Sequence, residues 1–201
     1  MVRNVIFDLG NVLISFRPAA YLEKIKCPAD KKQVILSDIF GSSEWRHLDN
    51  GDLSTGEAID HIAGKSSLKR EEIALVFNNR TDIMFPLASN VKLLPGLKER
   101  GYGLYYLSNF PADIFDEVKR SYPFFKYFDG GIISAIVRYS KPNPEIFRLL
   151  LEKYGLNPSE CFFIDDHEEN ILVAESIGMK GFFTSGSTNI SDEFLKRLEG
   201  H

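Results

Sequence analysis

The chain has 201 residues, roughly one and a third domains at about 150 residues each, and enough to bury a core without disulfide or metal staples. Apolar residues make up 44% and charged residues 26%, ordinary proportions for a globular chain that exclude disorder, fibres and repeats as its main state. Lys and Arg number 24 against 28 Asp and Glu, a net charge of −4, so there is no general electrostatic drive toward nucleic acid or an anionic membrane.

The apolar start, Val5 to Ile14, is broken by Asp8 and Asn11 and lacks a small-residue cleavage pattern, so it does not read as a signal peptide. No apolar run approaches the length that spans a bilayer. Cys27 and Cys161 are scattered thiols. They predict a reduced, cytoplasmic setting.

In chain order, Val5-Ile6-Phe7-Asp8 reads as a buried strand. Tyr21–Lys26, Asp30–Phe40, Thr55–Ile62 and Lys69–Thr81 carry apolar residues at helical spacing. Asp30 and Ser54 or Thr55 are expected N-caps, and Gly41 and Gly64 expected stops. After Pro86 the pattern alternates. A short helix runs from Pro95 to Gly101, Leu104–Ser108 is a strand, and Ala112–Ser121 a helix. Gly131–Ala135 is a short strand, Pro144–Tyr154 a helix closed by Gly155, and Cys161–Asp165 a strand. Glu168–Ile177 is a helix stopped by Gly178, Gly181–Thr184 the last strand, and Ser191–Leu198 the last helix.

Continuous apolar strands alternating with helices predict a parallel sheet covered on both faces, an α/β fold of three layers. The helical block of about 70 residues between the first two strands exceeds any crossover. The expected organisation is therefore an α/β core over residues 1–15 and 87–201, with an inserted all-helical cap over 16–86.

Ligands of an open parallel sheet bind at the carboxyl ends of its strands. The polar residues expected there are Asp8, Ser108-Asn109 and Asp165-Asp166, with Lys141 just before the next helix. Clustered carboxylates repel one another unless they share a cation, and an all-oxygen set with open positions suits Mg²⁺. Such a metal and Lys141 would neutralise an incoming phosphate, whose oxygens the Ser108 hydroxyl and backbone N–H groups near Asn109 would bind. A carboxylate facing the phosphorus can act as nucleophile.

Phe7-Asp8-Leu9-Gly10-Asn11-Val12, Leu107-Ser108-Asn109, Lys141-Pro142-Asn143-Pro144-Glu145-Ile146-Phe147 and Phe163-Ile164-Asp165-Asp166 resemble, in order, the motifs of the haloacid dehalogenase (HAD) superfamily. They span nearly the whole chain. The helical block resembles the small helical cap of one subclass. The resemblance implies a doubly wound, Rossmann-type sheet and a phosphatase working through an aspartyl-phosphate on Asp8. It implies Asp8, the Gly10 carbonyl, Asp165 and Asp166 around Mg²⁺, with Asp166 the principal second ligand. It further implies Ser108 and Asn109 on the phosphate, Lys141 orienting nucleophile and phosphate, and Asn170 holding the metal's surroundings.

One position departs from the pattern. Most phosphatases that this chain resembles carry a second aspartate two residues after the nucleophile, as general acid and base. Here that residue is Gly10, which keeps the backbone carbonyl and loses a group worth about 10²–10⁴-fold. The Leu-Gly-Asn-Val wording also resembles a branch with bacterial α-glucose-1-phosphate phosphatases. A sugar 1-phosphate leaves easily, so the expected substrate is a small phosphorylated metabolite, a sugar phosphate. The expected assembly is a monomer or homodimer.

Each motif has a plainer reading. Val5–Ile14 fits a β-hairpin turning at Gly10-Asn11. Asp165-Asp166 fits a helix cap, Lys141 a solvated surface lysine. Trp45, Arg46, His47 and Asp49 are expected in a loop between two cap helices, as specificity residues, with His47 or Asp49 a source of the missing acid and base. Trp45 also fits the cap's core. His61 reads as partly exposed, and His167 as no ligand of a hard cation. The Phe124-Phe125, Tyr127-Phe128 cluster reads as core. Two other activities of the superfamily lack the second aspartate. The intact Asp165-Asp166 pair argues against a dehalogenase. A phosphonate hydrolase needs a cap lysine, and Lys24, Lys26, Lys31, Lys32, Lys65 and Lys69 are candidates. A phosphosugar-binding regulatory protein is the non-catalytic alternative.

Overall fold

A computed structural model of the chain describes residues 1–185 and 190–199. Residues 186–189 and 200–201, within the expected core range, lie outside the described residues. The chain forms β1 (Asn4–Phe7), β2 (Ile14–Phe16), α1 (Pro18–Lys24), α2 (Ala29–Ile35), a π-helical turn (Leu36–Phe40), α3 (Ser43–Asn50), α4 (Thr55–Ala63) and α5 (Arg70–Asn78). A 3₁₀ turn (Arg80–Ile83) leads to β3 (Met84–Pro86), α6 (Ala88–Val91), α7 (Leu93–Glu99), β4 (Gly103–Ser108), α8 (Ala112–Ser121), β5 (Gly130–Ile133) and α9 (Ser134–Val137). Then follow α10 (Pro144–Tyr154), β6 (Cys161–Asp165), α11 (Glu168–Ser176), β7 (Lys180–Phe183) and α12 (Ser191–Glu199).

Five strands form one sheet in the order β5-β4-β1-β6-β7, and every pairing in it is parallel. Period-two alternation sends Val5 and Phe7 into one helix-covered face with Leu104, Phe162 and Ile164. Ile6 goes into the other, with Leu107, Phe147 and Phe163. The aromatic cluster of Phe124 and Phe125 belongs to the first face. The expected three-layer α/β core is present.

The helical block packs around its own apolar cluster, in which Ile39, Trp45, Ile62, Ile73 and Phe77 are buried. Trp45 stacks on Phe77 with ring centroids 5.8 Å apart. Its entry and exit are an antiparallel ribbon that periodicity does not reveal: β2 pairs with β3, Ile14 opposite Pro86 and Phe16 opposite Met84. Three-residue strands are too short to show an alternation. The hairpin reading of Val5–Ile14 is corrected too. β1 pairs with β4 and β6, because a strand buried on both faces fills both its edges, and only an isolated bridge joins Gly10 to Ile14.

The expected loop over Trp45–Asp49 is corrected to a helix, α3. Ser42 is the reason. Its hydroxyl donates to the Ile39 carbonyl (2.7 Å) and accepts from the Trp45 N–H (3.0 Å), so one side chain ends a helix and starts the next. The expected continuous helix to Phe40 widens into a π turn, in which the Gly41 N–H reaches the Leu36 carbonyl at 2.9 Å. Pro28, not Asp30, occupies the N-cap position of α2. Ser54 caps α4 through a reciprocal pair with Glu57, as expected.

α3 ends at Gly51, whose φ of +75° is left-handed. A Cβ there would run into the Ala135 carbonyl of α9, so this glycine permits the close approach of the helical block to the core. Gly51→Ala is expected to cost at least about 1–2 kcal/mol for its backbone alone. Gly56→Ala, in α4 with nothing near its Cβ, is expected to gain up to about 1 kcal/mol. Urea unfolding of the two variants checks the pair, and equal effects would contradict the docking.

Candidate active site

β1, β4 and β6 lie side by side, so their carboxyl ends bring Asp8, Ser108 and Asp165 to one edge. Asp8, Gly10, Ser108, Asn109, Lys141, Asp166 and Asn170 all line one cavity of about 360 Å³. From the helical block Phe16, Trp45, Arg46, Asp49 and Met84 line the same cavity. His47 does not. Its imidazole points outward and pairs with Asp52 at 3.2 Å. His61 is exposed.

Lys141 holds the floor together. Its side chain is 2% exposed, with Nζ 2.9 Å from Asp8 Oδ1 and 2.6 Å from Asp165 Oδ2. Burial opposes its charge, but the two carboxylates outweigh that and raise its pKa above the ordinary lysine value. Its backbone is pinned by Asn109. The Asn109 amide donates to the Lys141 carbonyl (2.9 Å) and accepts from its N–H (2.8 Å). The Asn109 side chain is thereby spent on Lys141, which leaves its backbone N–H as the group for an anion. The plainer reading of Lys141 as a solvated lysine is corrected by this burial.

Asp165 is fully buried and fully engaged. Oδ2 takes Lys141, while Oδ1 accepts from the His167 N–H at 2.8 Å and from Asn170 at 2.9 Å. It orients Lys141 and the turn into α11. Asp166 is less occupied, accepting from Asn11 Nδ2 at 3.2 Å. Asn11 has left-handed backbone (φ 51°) and its Oδ1 also accepts from the Phe16 N–H at 3.0 Å. It thus ties the acidic cluster to β2, a link with no signal in the sequence beyond the tolerance of asparagine for this conformation.

Asp8 Oδ1 accepts from the Leu9 N–H at 2.7 Å and from Lys141. Among the described residues, Oδ2 has no hydrogen-bond partner. Burial pushes the Asp8 carboxyl up to about 6, Lys141 pulls it down, and Asp165 and Asp166 push it further up. Asp166 is raised chiefly by burial, with Asp165 adding to it. Oxygens of Asp8, Asp165 and Asp166 come within 4.8 Å of one another. Three carboxylates share one ammonium, and that deficit of positive charge, in an all-oxygen set, fits a hard divalent cation. Gly10 leaves space beside Asp8. A Cβ there would meet nothing nearer than Asp8 Oδ2 at 4.0 Å.

Two residues that join the helical block to the core beside the site have no signal in the sequence. Ser134, at the start of α9, accepts from the Phe110 N–H (3.0 Å) and donates to the Asp49 carbonyl, so it joins the loop after β4 to α3. Arg80, buried over the Phe77 ring, reaches Thr55 Oγ1 at 2.9 Å and the Asp113 carboxylate of α8. Neither an isolated serine nor an arginine in a helical block has a motif to mark it. The six candidate cap lysines of a phosphonate hydrolase do not line the cavity. Three are paired at the surface, Lys31 with Glu72, Lys32 with Glu23 and Lys65 with Glu44.

Comparison with known proteins agrees with this architecture. The chain is 29% identical over 198 residues to a sesquiterpene phosphatase of Aspergillus oryzae, covering 97% of this chain and 95% of the relative. It is 25% identical over 194 residues to a D-ribitol-5-phosphate phosphatase of Bacteroides thetaiotaomicron, covering 90% and 91%. A crystal structure of a HAD family enzyme from Bacteroides thetaiotaomicron, in complex with magnesium and inorganic phosphate, superposes with a TM-score of 0.76 at 26% identity. That match covers 96% of this chain and 100% of the other. The model of the haloacid dehalogenase-like hydrolases matches residues 2–178, and the chain belongs to that family.

Proposed function

We propose that the chain is a magnesium-dependent phosphatase that hydrolyses a small phosphomonoester, a sugar phosphate, through an aspartyl-phosphate on Asp8. The observation that carries this is the Lys141 ammonium beside Asp8 on the floor of a cavity. One Asp8 oxygen is held there while the other is unpaired among the described residues. Two relatives are phosphatases by name.

In this reading Asp8, the Gly10 carbonyl and Asp166 hold the metal, while Asp165 and Asn170 orient the site from behind. Bound magnesium would neutralise phosphate oxygens and carboxylates together. Lys141 balances charge on the phosphate, and the Ser108 hydroxyl and Asn109 N–H hold its oxygens. Asp8 Oδ2 attacks phosphorus, the ester P–O bond breaks, and the alcohol leaves with a proton. Water then attacks the phosphorus of the aspartyl-phosphate and returns Asp8 as a carboxylate. The helical block over 16–86 acts as the cap and selects the organic group. The reading assigns the enzyme to the cytoplasm.

The sugar reading rests on the polar Arg46 and Asp49 beside an aromatic wall. A second reading has its own support. Ile14, Phe16, Trp45, Met84 and Phe110 make much of the wall apolar, which suits a phosphorylated hydrocarbon alcohol, and one relative is a sesquiterpene phosphatase. Phosphate release from glucose 1-phosphate, glucose 6-phosphate, ribitol 5-phosphate and farnesyl phosphate, with and without Mg²⁺, separates the two. The expected result is metal-dependent release favouring the sugar phosphates and abolished by Asp8→Asn. Preference for farnesyl phosphate would favour the second reading, and release surviving Asp8→Asn would reject the nucleophile.

The acidic cluster also predicts a pH signature. Asp8 titrates at about 6 in the fold against an ordinary 3.8, so between those values the folded chain keeps a proton that the unfolded chain releases. The metal-free protein therefore loses stability as pH rises through that window. A cation bound to the ionised cluster reverses the loss. Magnesium is expected to raise Tm at about pH 7.5 and much less at about pH 5. Asp166→Asn should remove most of the gain. Thermal melts at both pH values check this, and a pH-independent gain would contradict it.

A further inference from the structure

Breaking a phosphate ester of an ordinary alcohol requires a proton for the leaving oxygen, and hydrolysing an acyl phosphate requires a base for the water. Among the described residues, the floor of the cavity has no buried group free for either task. Lys141 is clamped between Asp8 and Asp165. Both oxygens of Asp165 already accept hydrogen bonds, Asp166 belongs to the acidic cluster, and Gly10 has no side chain. His167 also lines the cavity, but its side chain is 73% exposed and lies beside Asp166 at 3.8 Å, so solvent rather than a closed pocket surrounds it.

Among the described residues, the roof of the cavity carries one carboxyl. Asp49, in the last turn of α3, lines the cavity opposite the Asp8 floor and is only partly exposed. Among the described residues its carboxylate makes no hydrogen bond and no ion pair. Its backbone, by contrast, is held firmly. Its carbonyl accepts from Ser134, the side-chain oxygen of the next residue, Asn50, accepts from Ser140 at 3.1 Å, and Gly51 abuts Ala135. An unpaired carboxyl on a backbone pinned to the phosphate-side loops is a group placed for a ligand.

We propose that Asp49 is the acid and base of the reaction, delivered to the phosphoryl centre by the cap. Protonated, it gives its proton to the leaving oxygen as that oxygen parts from phosphorus. Ionised, it takes a proton from the water that attacks the phosphorus of the aspartyl-phosphate, and so regains its starting form. The proposal rests on the reading of Asp8 as nucleophile.

The electrostatics support the assignment. Burial pushes the Asp49 carboxyl up to about 7, with Arg80 opposing and Asp8 adding to the rise. Both forms are then populated near neutral pH, as the two steps require. Other charged groups on neighbouring elements are engaged elsewhere. Asp38 of the π turn bonds Ser37 and Ser66, Glu57 of α4 bonds Ser54, and Asp60 of α4 pairs with Arg70. His61 of α4 acts on Glu57, and Arg138, after α9, on Asp52. Arg46 is the further charged residue of α3 that lines the cavity.

The test compares p-nitrophenyl phosphate, whose phenolate leaves without a proton, with phenyl phosphate, whose phenolate needs one. Both are run with Mg²⁺ on the full chain, as wild type, Asp49→Asn, Asp49→Glu and Asp8→Asn. Asp49→Asn is expected to lose on the order of 10²–10⁴-fold in kcat/KM on phenyl phosphate, and far less on p-nitrophenyl phosphate. The latter should show a burst of nitrophenolate followed by slow turnover, because the phosphoenzyme accumulates without its base. The fall in phenyl phosphate kcat/KM as pH rises through about 7 in the wild type should vanish in Asp49→Asn, and Asp49→Glu should restore part of the rate. Equal losses on both substrates, with no burst and an unchanged pH profile, would mark Asp49 as merely structural and overturn the proposal. Turnover by Asp8→Asn would overturn the nucleophile reading and this one with it.

Discussion

The buried ammonium of Lys141 is the constraint on which the site depends. A charge that is 2% exposed is tolerable only when paired and hydrogen-bonded, and here two carboxylates from two adjacent strands do this. Asp8 directly follows β1, Asp165 ends β6, and Asn109, directly after β4, grips the Lys141 backbone. The parallel order of these three strands is therefore what assembles the charge cluster. The cluster in turn is left with more negative than positive charge, and burial, with Asp165 and Asp166 adding to it, raises the Asp8 carboxyl. Removing Lys141 would leave two buried carboxylates unpaired, which is a folding cost as much as a chemical one.

The second constraint is the joining of the helical block to the core. The β2–β3 ribbon carries the chain out and back, and Asn11 ties that ribbon to Asp166. Ser134 joins the loop after β4 to α3, and Arg80 joins the block to α8 through Asp113. Asn11, Phe110 and Asp49, held by these contacts, line one cavity, whose floor is charged and whose upper wall is largely apolar. If the acid and base come from α3, a glycine after the nucleophile no longer restricts the leaving group. Substrate choice then falls to Phe16, Trp45, Arg46 and Met84, and chemistry becomes conditional on the block lying against the core.

Much of this was legible in the sequence, for physical reasons. Strands buried on both faces appear as unbroken apolar runs, so Cys161–Asp165 and the helix Pro144–Tyr154 with its closing Gly155 read directly. The residues at the ends of such runs are polar in an apolar context, which is why Asp8, Ser108 and Asp165-Asp166 stood out, and they do share one edge. What was hidden is short or non-local. α3 lies between two glycines and is started by a single serine, so its eight residues looked like a loop. The ribbon strands are too short for a period, and contacts such as Ser134 with Asp49 span 85 positions. The distinction between Asp165, which accepts three hydrogen bonds, and Asp166, which accepts one, exists only in three dimensions.

The central claim is that Asp8 becomes covalently phosphorylated. The direct measurement is acid quenching of the magnesium-loaded protein within the first turnover of p-nitrophenyl phosphate. Borohydride reduction and peptide mapping then follow, since an aspartyl-phosphate is reduced to homoserine. The account predicts homoserine at position 8 and at no other aspartate. Turnover with no such label, or with the label on Asp49, Asp165 or Asp166, would contradict it.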